Sequence, residues 1–176
     1  DFVLRSACSD LKRWQLSDPA FAGLTMNVNI SGKDIAHSGL VPRITRALVE
    51  ARLEPQNLVV ELTENILMDQ LKGALPLLED LRTLGVGLSV DDFGTGYSSL
   101  SHLSSLPVDS LKIDRSFIRG MRTGSKEAAV VHAVVTLGQA LRKRVVAEGI
   151  ETEQQHEQLR DMGCQVGQGY HLSRPL

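Results

Sequence analysis

Six short stretches of strand pattern, alternating with helix-like sequence, constrain this chain more than any other feature it has. They are LTMNVNIS, PQNLVVELTEN, VGLSVDDFG, VDSLKIDRS, RVVAEGIE and CQVGQGYHL. Strands joined through helices run parallel to their neighbours, because a crossover returns the chain to the same edge of the sheet. The predicted class is therefore α/β with a parallel sheet. Within the stretches, residue types alternate. Val28 and Ile30 oppose Asn27, Asn29 and Ser31; Val59, Glu61 and Thr63 share a side; Leu111 and Ile113 oppose Ser110, Lys112 and Asp114. In a barrel of such strands the aliphatics pack on outer helices and the alternate residues point inward. Asn29, Glu61, Asp91, Lys112, Glu148 and Gln168 each end a strand on the face opposite the aliphatics, which predicts six polar side chains at one mouth.

The intervening segments read as helices. Residues 2–14 space Val3, Leu4, Ala7, Leu11 and Trp14 as an apolar stripe, and VPRITRALVEARL does so with Ile44, Ala47, Leu48 and Ala51. A helix is expected over 74–84, with Pro76 in its first turn, Gly85 as its stop and further helical signal at 66–72. SGKDIAHSG reads as loop or a short helical turn, RGMRTGSK as a basic loop, and EAAVVHAVVTLGQALR as a long helix. TEQQHEQLRDMG opens on a capping box, Thr152 with Gln155. No repeat, low-complexity tract or dividing linker is present, so residues 1–176 read as one domain.

Composition narrows the partners. A net charge of -2 gives no basic footprint for a DNA or RNA polymer, so a phosphate-bearing ligand must be held by metal ions or a few placed residues. Cys8 and Cys164 show neither disulfide nor zinc spacing and read as small core thiols in a reducing, cytoplasmic compartment. No apolar run reaches the roughly 18 residues of a membrane span, and no signal peptide is visible. A start at Asp1, directly into helical pattern, reads as a piece of something longer.

The chemistry concentrates in VGLSVDDFGTGYSSL, where a strand runs into Asp91 and Asp92 and then into a turn whose Gly94 and Gly96 leave space for a ligand. Asn29, Glu61, Asp91 and Asp92 are oxygen donors suited to hard divalent ions, Mg²⁺ or Mn²⁺. Crowded carboxylates repel, and one or two such ions relieve that; two ions about 3.5–4 Å apart can drive in-line displacement at phosphorus. Lys112 either fixes the attacking water or a phosphoryl oxygen, or pairs with Asp114. Glu148 is placed to hold a metal or its water, and Gln168 a substrate oxygen or the last strand. Glu151 either faces substrate or caps the helix after it, and Glu64 and Thr63 brace the glycine loop. The five histidines show no ligand spacing; His132 and His102 read as structural or surface residues. Ser98 and Ser99 have no His/Asp partner pattern for a serine nucleophile.

In this order and spacing, MNVNIS, VELTEN, LSVDDFGTGYSSL, LKIDRSFI, VVAEGIET and GQGYHLSRPL resemble the EAL-domain phosphodiesterases, bacterial enzymes that open cyclic di-GMP to the linear dinucleotide pGpG. The resemblance covers nearly the whole chain. It implies a TIM-like (β/α)8 barrel with one antiparallel strand and a site at the carboxyl mouth. It further implies Asn29, Glu61, Asp91, Asp92 and Glu148 as metal ligands, with Glu61, Lys112, Glu148 and Asp91 catalytic and Lys112 holding the water. Asp92, Gln168, Glu151 and Asp114 would then stand toward substrate, and Glu64 and Ser98 would couple the DDFG loop to a homodimer. Upstream sensory or GGDEF-type domains are expected in the parent protein. The namesake Glu-Ala-Leu strand is absent and the chain holds six of the eight strands, so it lacks one metal-binding glutamate and a nearby arginine. The competing readings are a catalytically silent cyclic di-GMP receptor or regulatory module, and an unrelated barrel enzyme acting on a sugar phosphate.

Overall fold

A computed structural model describes residues 1–36, 39–69, 71–96 and 100–174. Its strands are β1 (Met26–Asn29), β2 (Leu58–Thr63), β3 (Gly87–Phe93), β4 (Ser110–Ile113), β5 (Arg144–Glu148) and β6 (Val166–Gln168). They form one sheet in chain order, and the β1–β2, β4–β5 and β5–β6 pairs are parallel. The helices are α1 (Phe2–Ser17), α2 (Gly32–Ala36), α3 (Leu40–Ala51), α4 (Glu64–Asp69), α5 (Leu71–Leu84), α6 (Leu100–Ser105), α7 (Arg115–Gly120), α8 (Lys126–Ala140) and α9 (Glu153–Asp161). All six strand-patterned stretches are strands, and the class is α/β.

The chain forms two compact units, one of Asp1–Leu62 with Asp69–Ser89, the other of Thr63–Met68 with Val90–Leu176. In the first, Leu4, Cys8 and Leu11 of α1 and Leu40, Ile44, Ala47 and Leu48 of α3 are buried, with Leu58, Val60 and Leu62 from β2. The apolar stripe of α1 is therefore 4-8-11, a clean i, i+4, i+7 row. Val3 and Trp14, expected on it, are 66% and 43% exposed. Pro76 lies inside α5 rather than in its first turn, because the helix begins at Leu71. Its missing N–H forfeits one backbone bond there. The helix stops as expected, with the Gly85 N–H on the Arg82 carbonyl at 2.9 Å.

In the second unit, Leu111 and Ile113 of β4, Ile118 of α7, Val131 and Val135 of α8, Ala147 and Leu159 are buried. The segment after β4 is the helix α7 rather than a continuing strand: Asp114 caps it, accepting from the Ser116 N–H at 3.0 Å and from the Ser116 hydroxyl. The last strand is shorter than its pattern. It ends at Gln168 because the Leu172 and Ser173 N–H groups fold back onto the Gly169 carbonyl, at 3.0 and 3.1 Å. Cys8 and Cys164 are free thiols, each pushed up from the ordinary value by burial. No helix among the described residues is long and apolar enough to cross a membrane.

The capping box of α9 is present in full. The Thr152 hydroxyl accepts from the Gln155 N–H at 3.3 Å, and the Gln155 side-chain oxygen accepts from the Thr152 and Glu151 N–H groups at 3.1 and 2.8 Å. Gln155 is itself buried and donates to the Ile118 carbonyl at 3.1 Å, which ties α9 to α7. Thr152→Ala is expected to cost about 1 kcal/mol, read as a lower urea midpoint at unchanged slope.

Candidate active site

Lys112 anchors the site of the second unit. Alternation along β4 turns its side chain away from the face of Leu111 and Ile113, and only 8% of that side chain is exposed. A cation so deeply placed needs counter-charges. Lys112 Nζ lies 3.0 Å from Asp91 Oδ1 and 2.8 Å from Glu148 Oε1. The register of parallel strands produces this: Lys112 stands beside Val146, two residues before Glu148 at the end of β5. The structure thus joins Lys112 to Asp91 and Glu148, where the sequence suggested Asp114 as an ion-pair partner.

Asp91, Asp92 and Glu148 each bring a carboxylate oxygen to within 4.8 Å of the others. An all-oxygen set of this spacing fits a hard divalent cation. Asp92 sits at φ 53°, in the left-handed region, one residue before the end of β3. Its carbonyl accepts from the Thr95 hydroxyl at 2.8 Å, which closes the turn. Burial pushes the Asp92 carboxyl above its ordinary value, repulsion from Asp91 and Asp114 adds to this, and Lys112 offsets part of it.

The sign of that shift gives a prediction. A carboxyl whose value is raised by folding contributes stability below its unfolded pKa and loses it as pH rises through the folded one. Metal-free Asp92→Asn is therefore expected to have a higher urea midpoint than the parent at pH 7, the difference closing toward pH 3. A lower midpoint at pH 7 would refute it.

The two glycines of the loop serve a different purpose from the one their spacing suggests. A Cβ on Gly94, at φ 100°, would stand 2.9 Å from the Phe117 ring. On Gly96 it would stand 2.8 Å from Asn65 Oδ1 and 3.0 Å from Glu64 Cδ. The space is filled by the protein rather than kept for a ligand. Glu64 is buried at the start of α4, and its Oε2 accepts from the Gly94 and Gly96 N–H groups at 2.8 and 3.2 Å. Glu64 thus braces the loop that follows Asp91 and Asp92 of β3, while Ser98 and Ser99 lie outside the described residues.

A cleft of about 230 Å³ borders Glu148 of this cluster, lined also by Arg115, Glu151, Gln168 and Tyr170, with Gly149 and Gly169. Gln168 and Glu151 are thus on the cleft, with Glu151 also giving its N–H to Gln155. Arg115 and Tyr170 are the lining residues that sequence reasoning missed. Tyr170 shares the period of Gln168, two residues on, and that was the available signal. Asp114 caps α7. His132 is exposed, as read from the sequence.

In the first unit, Glu61 is 3% exposed and its Oε1 accepts from Asn27 Nδ2 at 2.7 Å. Asn29 is its registered partner across β1 and β2. Asn27 was visible on the face of Asn29, but nothing in the pattern singled it out as the residue that orients Glu61. Of the six expected positions, Asn29, Glu148 and Gln168 end their strands, while Glu61, Asp91 and Lys112 sit one or two residues short.

Comparisons with known proteins agree with this architecture. The family model described as EAL domain matches residues 1–175. The bifunctional diguanylate cyclase/cyclic di-GMP phosphodiesterase MucR of Pseudomonas aeruginosa is 45% identical over 176 residues, all of this chain and 25% of that protein. The cyclic di-GMP phosphodiesterase NbdA of the same organism is 44% identical over 176 residues, 22% of its length. The chain thus spans about a quarter of the length of these curated relatives. A solved structure described as PaMucR phosphodiesterase in complex with c-di-GMP superposes with a TM-score of 0.92 at 44% identity, covering 99% of this chain and 75% of that one.

Proposed function

Because the chain belongs to the EAL domain family, we propose that it is the greater part of a metal-dependent cyclic di-GMP phosphodiesterase domain. In the reaction, water adds across one P–O3′ bond of the cyclic dinucleotide. Its oxygen stays on phosphorus as a terminal 5′-phosphate and its proton ends on the freed 3′-oxygen, giving pGpG. The observation that carries the reading is the Asp91–Asp92–Glu148 oxygen cluster with Lys112 held against two of its members.

Asp91, Asp92 and Glu148 would hold Mg²⁺ or Mn²⁺ in the second unit, and Asn29 and Glu61 are proposed as oxygen ligands offered by the first. When bound, such a cation supplies Lewis-acid polarisation at phosphorus and lowers the pKa of water. Lys112 offers a compact, donor-only cation for the attacking water or for charge growing on the phosphoryl oxygens. Gln168, Glu151, Arg115 and Tyr170 offer an amide, a carboxylate, a guanidinium and a ring to the nucleotide from the cleft. A homodimer, with Glu64 linking loop order to its interface, belongs to the same proposal.

The test is incubation of the domain with its Glu-Ala-Leu strand present, alongside these 176 residues alone, from which weak or no turnover is expected, with cyclic di-GMP and Mg²⁺ or Mn²⁺ and products separated by chromatography. Formation of pGpG that stops on chelation, and that Asp91→Ala lowers at least 100-fold, is the expected result. Ligand bound but not converted, with metal present, would favour the silent-receptor reading. Unchanged turnover in Asp91→Ala would remove the metal assignment.

A further inference from the structure

We propose that Glu153, His156 and His171 form a second cation site, one for Zn²⁺ rather than Mg²⁺, and distinct from the acidic cluster of β3 and β5. Each offers one ligand atom, and these atoms lie within 4.8 Å of one another. His171 Nε2 is 2.8 Å from Glu153 Oε2, and the two imidazole centroids are 5.7 Å apart at 49°. Glu153 and His156 share one face of α9 at i, i+3 spacing, and His171 comes to that face from the turn after β6. This constellation was invisible as a ligand pattern in the sequence, because 15 positions separate its two histidines.

Two features make the group more than a surface ion pair. The donor set is two imidazoles and one carboxylate, the set that zinc takes with a fourth position left to water and that magnesium disfavours. The backbones beneath it are also pinned. The capping box sets the start of α9, the His156 N–H bonds the Thr152 carbonyl at 3.2 Å, and the His171 N–H bonds the Ile150 carbonyl at 3.0 Å. Zinc bonds of about 2.0–2.1 Å at tetrahedral angles need donors about 3.4 Å apart. The His171–Glu153 pair, at 2.8 Å, has to open to reach that spacing, and any pair nearer the 4.8 Å limit has to close. Glu153 is exposed and both histidines are part-exposed, so a hydrated ion has an entry path. The partial positive charge of the α9 amino terminus opposes a cation there, but Glu153 supplies a full negative charge at the same place. Loading would clip α9 to the turn that carries Tyr170 beside the cleft.

The test is independent of whether the chain hydrolyses anything. The full chain, with Mg²⁺ in large excess to saturate the acidic cluster, is titrated with Zn²⁺ in a calorimeter and with Co²⁺ in a spectrophotometer. One Zn²⁺ equivalent and a four-coordinate Co²⁺ absorption band are expected. His156→Gln and His171→Gln should each weaken that equivalent at least tenfold, and Asp91→Asn should keep it. Circular dichroism establishes that the variants are folded. No Zn²⁺ equivalent above the Mg²⁺ background, an equivalent that survives the histidine double variant, or one that disappears with Asp91→Asn would overturn the site.

Discussion

Lys112→Met is expected to lower the turnover of cyclic di-GMP by roughly 10²–10⁴-fold while leaving metal affinity equal or higher. Methionine keeps the length and packing of the side chain and removes only its charge and donors. In the parent, Nζ lies 2.8 and 3.0 Å from two carboxylates with 8% of the side chain exposed, so its charge acts with little screening by water. Removing it leaves Asp91 and Glu148 facing each other uncompensated. The metal-free variant should therefore unfold at lower urea, and Mn²⁺ should restore more stability to it than to the parent, because the cation relieves the same repulsion. A purely structural lysine would give another pattern: lost stability that metal does not restore, with turnover normal once folded. A kcat within threefold of the parent at saturating metal would sink the catalytic assignment.

How far the fold and the site were legible depends on what kind of information each required. Period-two alternation placed all six strands and set Lys112 opposite Leu111 and Ile113, because that pattern is local. The partner of Lys112 was not local. Asp114 is two residues away in sequence, yet Asp91 and Glu148 reach the ammonium across neighbouring strands, and only register decides that. Gly94 and Gly96 show the same limit. The residue type says that a Cβ does not fit, but not whether a ligand, the Phe117 ring or the Glu64 carboxylate occupies the space. Asp114 and Gly169 ended strand patterns early through a cap and a turn, features that compete with alternation without disturbing it. In α1, Leu4, Cys8 and Leu11 won burial over Val3 and Trp14, since the row facing the core is narrower than the set of apolar residues on the helix.

The brace of the DDFG loop gives the second large effect. Glu64 is 1% exposed, and one of its oxygens takes two backbone N–H groups 30 and 32 residues away. Hydrogen bonds to a charged acceptor contribute about 1.5–3 kcal/mol each. Gly94 is exposed and Gly96 half-buried, so both amides regain water when the carboxylate is removed, and the loss falls toward the lower end. Glu64→Ala is thus expected to cost about 3 kcal/mol and to lower Tm by about 6–12 °C. Glu64→Gln, which keeps a neutral acceptor, should recover about half of that loss. The Gly94 and Gly96 amides should exchange hydrogen faster in the alanine variant than the fall in global stability explains, because the loop opens before the fold does. Turnover at a temperature where both proteins are folded should fall as well, since Asp91 and Asp92 lie at the end of the strand that runs into that loop. A Tm within 2 °C of the parent, with unchanged exchange at the two glycines, would show that the loop is held by other contacts.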